Sequence, residues 1–172
     1  MDFTVVIPAR YQSSRFPGKP LANIQGKPMV QHVVDRANEA GASKVIVATD
    51  DERIASVAAQ FATVVMTATT HTSGTERIAE VIQTQQIADE TIIVNVQGDE
   101  PFVPADNIRQ VAANLAANPA MQMATLCTPI THEDDVFNPN IVKVVFSASG
   151  KALYFSRSVL PFARDTMMQP PV

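Results

Sequence analysis

The stretch KVIVATDDERIASVAAQFATVVM, Lys44 to Met66, decides the fold class. Lys44 to Ala48 is a β-branched run that suits a buried strand, Asp51 to Phe61 reads as a helix, and Thr63 to Met66 reads as the next strand. Strand, helix and strand in so short a span argue for a parallel sheet whose connections are helical crossovers. Working outward, the same alternation fills the chain on both sides. Phe3 to Ile7 is a short β-branched strand ended by Pro8. Pro28 then opens a helix whose apolar positions Val30, Val33, Val34 and Ala37 recur at three and four residues, with Gly41 as its C′ residue. Downstream, Gly74 to Gln86 is a third helix and Thr91 to Val96 a very apolar strand. Pro104 to Asn118 is a fourth helix striped by Ile108, Val111, Ala112 and Leu115, and Met121 to Cys127 is expected as a further strand.

After Pro129 the texture changes. Ile141 to Phe146 and Ala152 to Phe155, separated by Ser147, Ala148, Ser149 and Gly150, are expected to form a β-hairpin. The expectation is therefore an α/β fold, a mostly parallel sheet with helices on both faces and a β-hairpin near the C-terminus. It is read as a single domain over 1–172. The tail Gln169-Pro170-Pro171-Val172 leaves the hairpin region with no closing helix, which reads as a domain incomplete at its C-terminal end.

With 172 residues, 46% of them hydrophobic, the chain can bury a core without metals or disulfides. A formal charge of −4 and a sequence pI near 5.3 argue against nucleic acid and anionic membrane surfaces as partners, so any anion must be bound locally. Cys127 has no second cysteine to pair with and is expected to be an inert core thiol. Met1 to Ile7 is too short an apolar stretch for a signal peptide, and no run of about 18 apolar residues occurs, so a soluble, cytoplasmic protein is expected.

Three segments carry chemistry. In Pro8 to Leu21, the cations Arg10, Arg15 and Lys19 lie in a loop at the carboxyl end of a strand, the end at which open α/β sheets bind ligands. Ala9, Ser13 and Ser14 let backbone N–H groups approach an anion, so the loop suits a triphosphate; taken alone, a solvated basic loop has the same composition. A P-loop is excluded because Lys19 and Lys27 precede prolines instead of Ser or Thr, and the Gly spacing of a dinucleotide fingerprint is absent. The second segment, His71-Thr72-Ser73-Gly74-Thr75-Glu76-Arg77, lies between a strand and a helix. Ser73 or Thr72 can cap that helix with Glu76 in its first turn, and small side chains and open backbone there can also form a slot for a flat base.

The third, Val94 to Pro101, places Asp99 just past an apolar strand, where a carboxylate can hold a hard cation such as Mg2+ beside phosphate oxygens, with Gly98 leaving room for a nucleotide. Glu100 reads as structural. Asp50-Asp51-Glu52 is assigned to the positive end of a helix, and Glu133, Asp134 and Asp135 to the start of a short helix near Val136 and Phe137. His32, His71 and His132 have no ligand spacing, so no zinc site is expected.

The order Ile7-Pro8-Ala9-Arg10, Ser13, Arg15, Pro17-Gly18-Lys19-Pro20-Leu21 closely resembles the 3-deoxy-manno-octulosonate (Kdo) cytidylyltransferase family. His71 to Arg77, Gln97-Gly98-Asp99-Glu100-Pro101 and Tyr154 to Ser158 follow it in the family's order. Sialic-acid and other sugar nucleotidyltransferases carry looser versions of the first loop. The resemblance implies a nucleotide-diphospho-sugar transferase-like fold and transfer of CMP from CTP to Kdo for lipopolysaccharide biosynthesis. It implies Pro8, Ala9, Arg10, Ser13, Arg15 and Lys19 on the triphosphate, and Ser73 and Gly74 around cytosine. Arg77, Gln97 and Arg157 would meet the sugar acid and Asp99 the Mg2+, with Lys19, Arg15 and Asp99 the groups that promote reaction. Members of the family continue past the point where this sequence stops, in a part that supplies a second acidic metal ligand, much of the sugar pocket and much of a homodimer contact. Impaired activity is therefore expected of this form. The alternatives are a cytidylyltransferase for another sugar acid, such as sialic acid, and an inactive nucleotide-binding module.

Overall fold

Every residue of β1 (Phe3–Ala9) is buried, as an apolar, β-branched strand covered on both faces must be. The computed structural model describes residues 1–12 and 16–167; Ser13, Ser14, Arg15 and the tail from Met168 onward lie outside the described residues. A 3-10 turn (Lys19–Leu21) follows, and then a two-residue ladder of β2 (Asn23–Ile24) and β3 (Lys27–Pro28), too short to be legible as periodicity. Gln25 and Gly26 reverse the chain there with φ of 50 and 89°, and the Gly26 N–H donates to Asn23 Oδ1 at 2.9 Å.

The βα alternation runs α1 (Met29–Glu39), β4 (Lys44–Thr49), α2 (Glu52–Ala58), β5 (Thr63–Met66), α3 (Gly74–Thr84), β6 (Ile92–Asn95) and α4 (Ala105–Ala116). These match the expected elements, with helix ends drawn in by one to three residues. The sheet has the order β5-β4-β1-β6 and all its pairings are parallel. Side chains alternate across it. Phe3, Val5 and Ile7 join Val45, Val47 and Val94 in a core with Val30 and Val33 of α1, Ile54 of α2 and Ile108 of α4. Val6, Ile46 and Val65 face the other way, against Ile78 and Val81 of α3. Helices therefore cover both faces.

From β1 the chain steps outward to β4 and β5, then crosses back to place β6 on the other side of β1. That reversal is the switch point of an open α/β sheet, and it leaves a crevice beyond the carboxyl ends of β1 and β6.

Met121 to Cys127 does not form the expected strand. Met121, Met123 and Leu126 are exposed, and Cys127 is an exposed thiol instead of a core one. A strand exists only through its ladder, and among the described residues no strand pairs with this segment, so its composition has nothing to be buried against.

The contacts group the chain into two compact units, Met1–Thr125 and Leu126–Val172. The second contains α5 (Glu133–Phe137), at the expected acidic start, and the expected hairpin of β7 (Lys143–Phe146) and β8 (Ala152–Ser156), antiparallel, followed by α6 (Arg164–Met167). Gly150, at φ 82°, turns the hairpin, and the Ser147 N–H donates to Lys151 O at 2.9 Å. Lys143 is buried within this unit, where its ammonium donates to Asn138 O at 2.8 Å.

Candidate active site

Three loops meet in the crevice between β1 and β6. They enclose a cleft of about 280 Å3 lined by Pro8, Ala9, Arg10, Gln12, Lys19 and Pro20 after β1, by Thr72, Ser73 and Gly74 before α3, and by Gln97, Gly98 and Asp99 after β6. The β1–β6 pairing is carried past the strand ends by Val96 N–H to Val6 O (3.2 Å) and Gly98 N–H to Pro8 O (3.3 Å). A Cβ on Gly98 would stand 2.9 Å from that same Pro8 oxygen, and one on Gly74 would stand 3.2 Å from Pro8 Cγ. The two glycines therefore let the loops close on one another. At Gly98 the space that a side chain would take belongs to the β1 backbone.

On the polar side of the cleft, Lys19 Nζ meets Asp99 Oδ2 at 2.7 Å across 80 residues of sequence. With the side chains 37% and 52% exposed, such a pair is worth about 0–1 kcal/mol, so both groups can turn to a charged ligand at small cost. Arg10 Nη1 donates to Thr72 O at 3.4 Å, linking the first loop to the second. Among the described residues no three acidic, histidine or cysteine side chains gather into a metal cluster. Asp99 contributes a single carboxylate.

The segment entering α3 is tied down by its own helix. The Glu76 N–H donates to Ser73 Oγ at 3.2 Å, while the Glu76 carboxylate accepts from Thr72 N–H (2.6 Å) and Ser73 N–H (3.2 Å), a reciprocal capping box. Hydrogen bonds from the Thr72 N–H, the Thr72 hydroxyl and the Ser73 N–H hold the Glu76 carboxyl below its usual range. One turn on, Glu80 pairs with His71 and accepts from Ala68 N–H at 2.9 Å; the His71 bond, then the backbone bond, lowers its pKa as well. Arg77 is fully buried and does not line the cleft. Its guanidinium donates to Asp50 at 2.7 Å and to the Thr67 hydroxyl, which joins α3 to the loops after β4 and β5.

The cytidylyltransferase family model matches residues 4–170. A 3-deoxy-manno-octulosonate cytidylyltransferase of Alteromonas mediterranea is 68% identical over 99% of this chain and 69% of its own length. The enzyme of that name from Idiomarina loihiensis is 60% identical over 96% of this chain and 66% of its own. The chain belongs to the 3-deoxy-manno-octulosonate cytidylyltransferase family. It spans about two thirds of the length of these relatives. A solved CMP:2-keto-3-deoxy-manno-octonic acid synthetase complexed with CTP superposes with a TM-score of 0.88 at 42% identity, over 98% of this chain and 69% of that one. Members of this family are nucleotidyltransferases, and that class is the chain's.

Of the residues that the resemblance to the Kdo cytidylyltransferases singled out, Pro8, Ala9, Arg10, Lys19, Ser73, Gly74, Gln97 and Asp99 share the cleft. Ser13 and Arg15 lie outside the described residues. Arg77 is turned into the protein instead, and Arg157 lies in the second unit, donating to Pro139 O at 2.7 Å. Sequence reasoning passed over Gln12 and Pro20 as cleft residues, while Thr72 lay within the segment it read as a slot for a base. It also assigned Asp50 to a helix end, where Asp51 is the residue that caps α2 and Asp50 serves Arg77. The available signal was the spacing of Glu76 and Glu80 on α3, four residues apart and so on one helix face, behind a segment of open backbone N–H groups.

Proposed function

We propose that this chain binds CTP in the β1–β6 crevice and supports transfer of CMP from CTP to Kdo, with release of pyrophosphate. The observation that carries the reading is the meeting in one cleft of Arg10, Lys19, the capped entrance of α3 and the carboxylate of Asp99. The acceptor's anomeric hydroxyl forms a bond to the α-phosphorus as the bond to the bridging oxygen breaks. Pyrophosphate keeps that electron pair, and the hydroxyl proton leaves to solvent. Positioning and charge stabilisation do most of the work in such a transfer. Arg10 and Lys19, with Arg15, hold the triphosphate; Ser73 and Gly74 frame the cytosine; Gln97 is assigned to the sugar acid. Arg77 serves the site by holding α3 in place.

An exposed carboxylate beside a polyphosphate site fits Mg2+, which takes one or two carboxylates plus phosphate oxygens, and Asp99 is the residue that would hold it. When bound, the ion supplies charge neutralisation at the reacting phosphate. No helix among the described residues is long and apolar enough to cross a membrane; cytoplasmic residence and a homodimeric full-length form complete the proposal.

The test is calorimetry of CTP and UTP with and without magnesium. CTP is expected to bind at least about tenfold more tightly than UTP, the worth of roughly one hydrogen bond to the exocyclic amine. Asp99→Asn is expected to abolish the magnesium dependence and keep the melting temperature. Equal affinity for CTP and UTP overturns the cytosine assignment, and an unchanged magnesium dependence in Asp99→Asn overturns the metal assignment. An acceptor panel, run with CTP on the chain and on a full-length relative, separates Kdo from sialic acid.

A further inference from the structure

Tyr11 follows Arg10 directly, and its half-buried ring packs against the main core. The Arg53 guanidinium lies over that ring, its Cζ 3.3 Å from the centroid. Arg53 is itself held in place: its Nε and Nη2 reach the two oxygens of Asp51 at 2.9 and 2.6 Å, while Asp51 caps α2 through the Arg53 N–H at 3.0 Å. The same fork keeps the Asp51 carboxyl below its ordinary range. On its other flank the tyrosine meets Gly18. The Gly18 N–H donates to Tyr11 O at 2.8 Å, and a Cβ on Gly18 would come within 3.0 Å of the ring. Gly18 also sits at φ 71°, where a side chain is strained, so the position favours glycine on two counts.

Arg10 and Lys19 flank this contact directly, one residue before Tyr11 and one after Gly18, and both line the cleft. The Arg53–Asp51 pair contributes little to stability at its exposure, with the arginine side chain 60% exposed. Its bidentate geometry instead gives the ring one place to sit. From these contacts we infer that Tyr11 is a positioning residue for phosphate recognition. Gripped by Arg53 and Gly18, it closes the base of the loop and sets the spacing of Arg10 and Lys19 across the crevice. The inference rests on the reading of the cleft as a CTP site.

The test compares CTP and cytidine by calorimetry in wild type, Tyr11→Leu, Tyr11→Phe and Arg53→Met. Tyr11→Leu is expected to lower CTP affinity about tenfold and Arg53→Met about threefold, the scale of a lost cation–π contact, with cytidine affinity unchanged in both. Tyr11→Phe keeps the ring and is expected to bind as wild type. Undiminished CTP binding in Tyr11→Leu, or equal losses for CTP and cytidine, overturns the inference. If Tyr11→Leu does not fold, Arg53→Met decides alone, because its exposed side chain leaves the core intact. Wild-type protein that binds CTP no more tightly than cytidine overturns the reading of the cleft, and the inference with it. A wild-type preference retained in every variant overturns the inference only.

Discussion

Arg77 carries its charge with no exposure to water, and it does so because Asp50 and the Thr67 hydroxyl face it from two loops. A buried cation without such partners costs several kcal/mol. Its Nε has no partner among the described residues, so the guanidinium is not fully satisfied and the site is sensitive to truncation. Arg77→Met leaves Asp50 half-buried and unpaired, and is expected to lower stability by about 3 kcal/mol. Arg77→Met combined with Asp50→Leu should recover much of that, since removing both charges removes the penalty. Urea midpoints of the two variants check this. No loss in the single variant means that the arginine does not join α3 to the sheet.

α3 divides its surface between two tasks. Ile78 and Val81 pack on the sheet, while Ser73 at its N-cap and Glu76, Arg77 and Glu80 in its first two turns hold the segment that enters the cleft. Both glutamates have folded-state pKa values below their ordinary value. The stabilisation they give is therefore complete above the ordinary glutamate pKa and is lost as the pH falls through the lowered folded values. Acid is expected to release the 68–77 segment before the sheet opens, seen as early loss of amide protection at Thr72, Ser73 and Glu76. Glu76→Gln keeps a capping-box side chain and should flatten its part of that pH dependence. An acid profile identical to wild type would show that the cap does not govern the entrance. Ser73→Ala should cost about 1 kcal/mol at neutral pH.

At the scale of the molecule, the buried hydrophobic residues among those described all lie between Phe3 and Ala112. Beyond Leu126 many of the described large apolar side chains stand open: Phe146 is 56% exposed, Leu153 63% and Tyr154 59%. A two-stranded hairpin with exposed faces contributes little stability of its own. All the described residues that line the cleft lie between Pro8 and Asp99. A fragment of residues 1–125 is therefore expected to unfold cooperatively near the midpoint of the 172-residue chain and to bind CTP with similar affinity. Circular dichroism melts and calorimetry on the fragment check both, and an unfolded fragment would show that the second unit is needed for the first to fold.

What the sequence determined by itself was local. The βα alternation, the apolar stripe of α1, the cap at Ser73, the acidic start of α5 and the hairpin turn at Gly150 each depend on residues within a few positions of one another, and periodicity reports such spacings. The three motifs named the family and its chemistry. Tertiary structure alone decided that β6 lies beside β1, and hence that Lys19 reaches Asp99 80 residues away. It also turned Arg77 inward to Asp50, set Arg53 on Tyr11, and left Met121 to Cys127 with no partner strand among the described residues. Each of these depends on which distant segment arrives alongside. That is set by strand order and packing across the whole sheet, and the residues concerned carry no mark of it, because a carboxylate or an apolar run offers the same contacts to whichever neighbour the fold supplies.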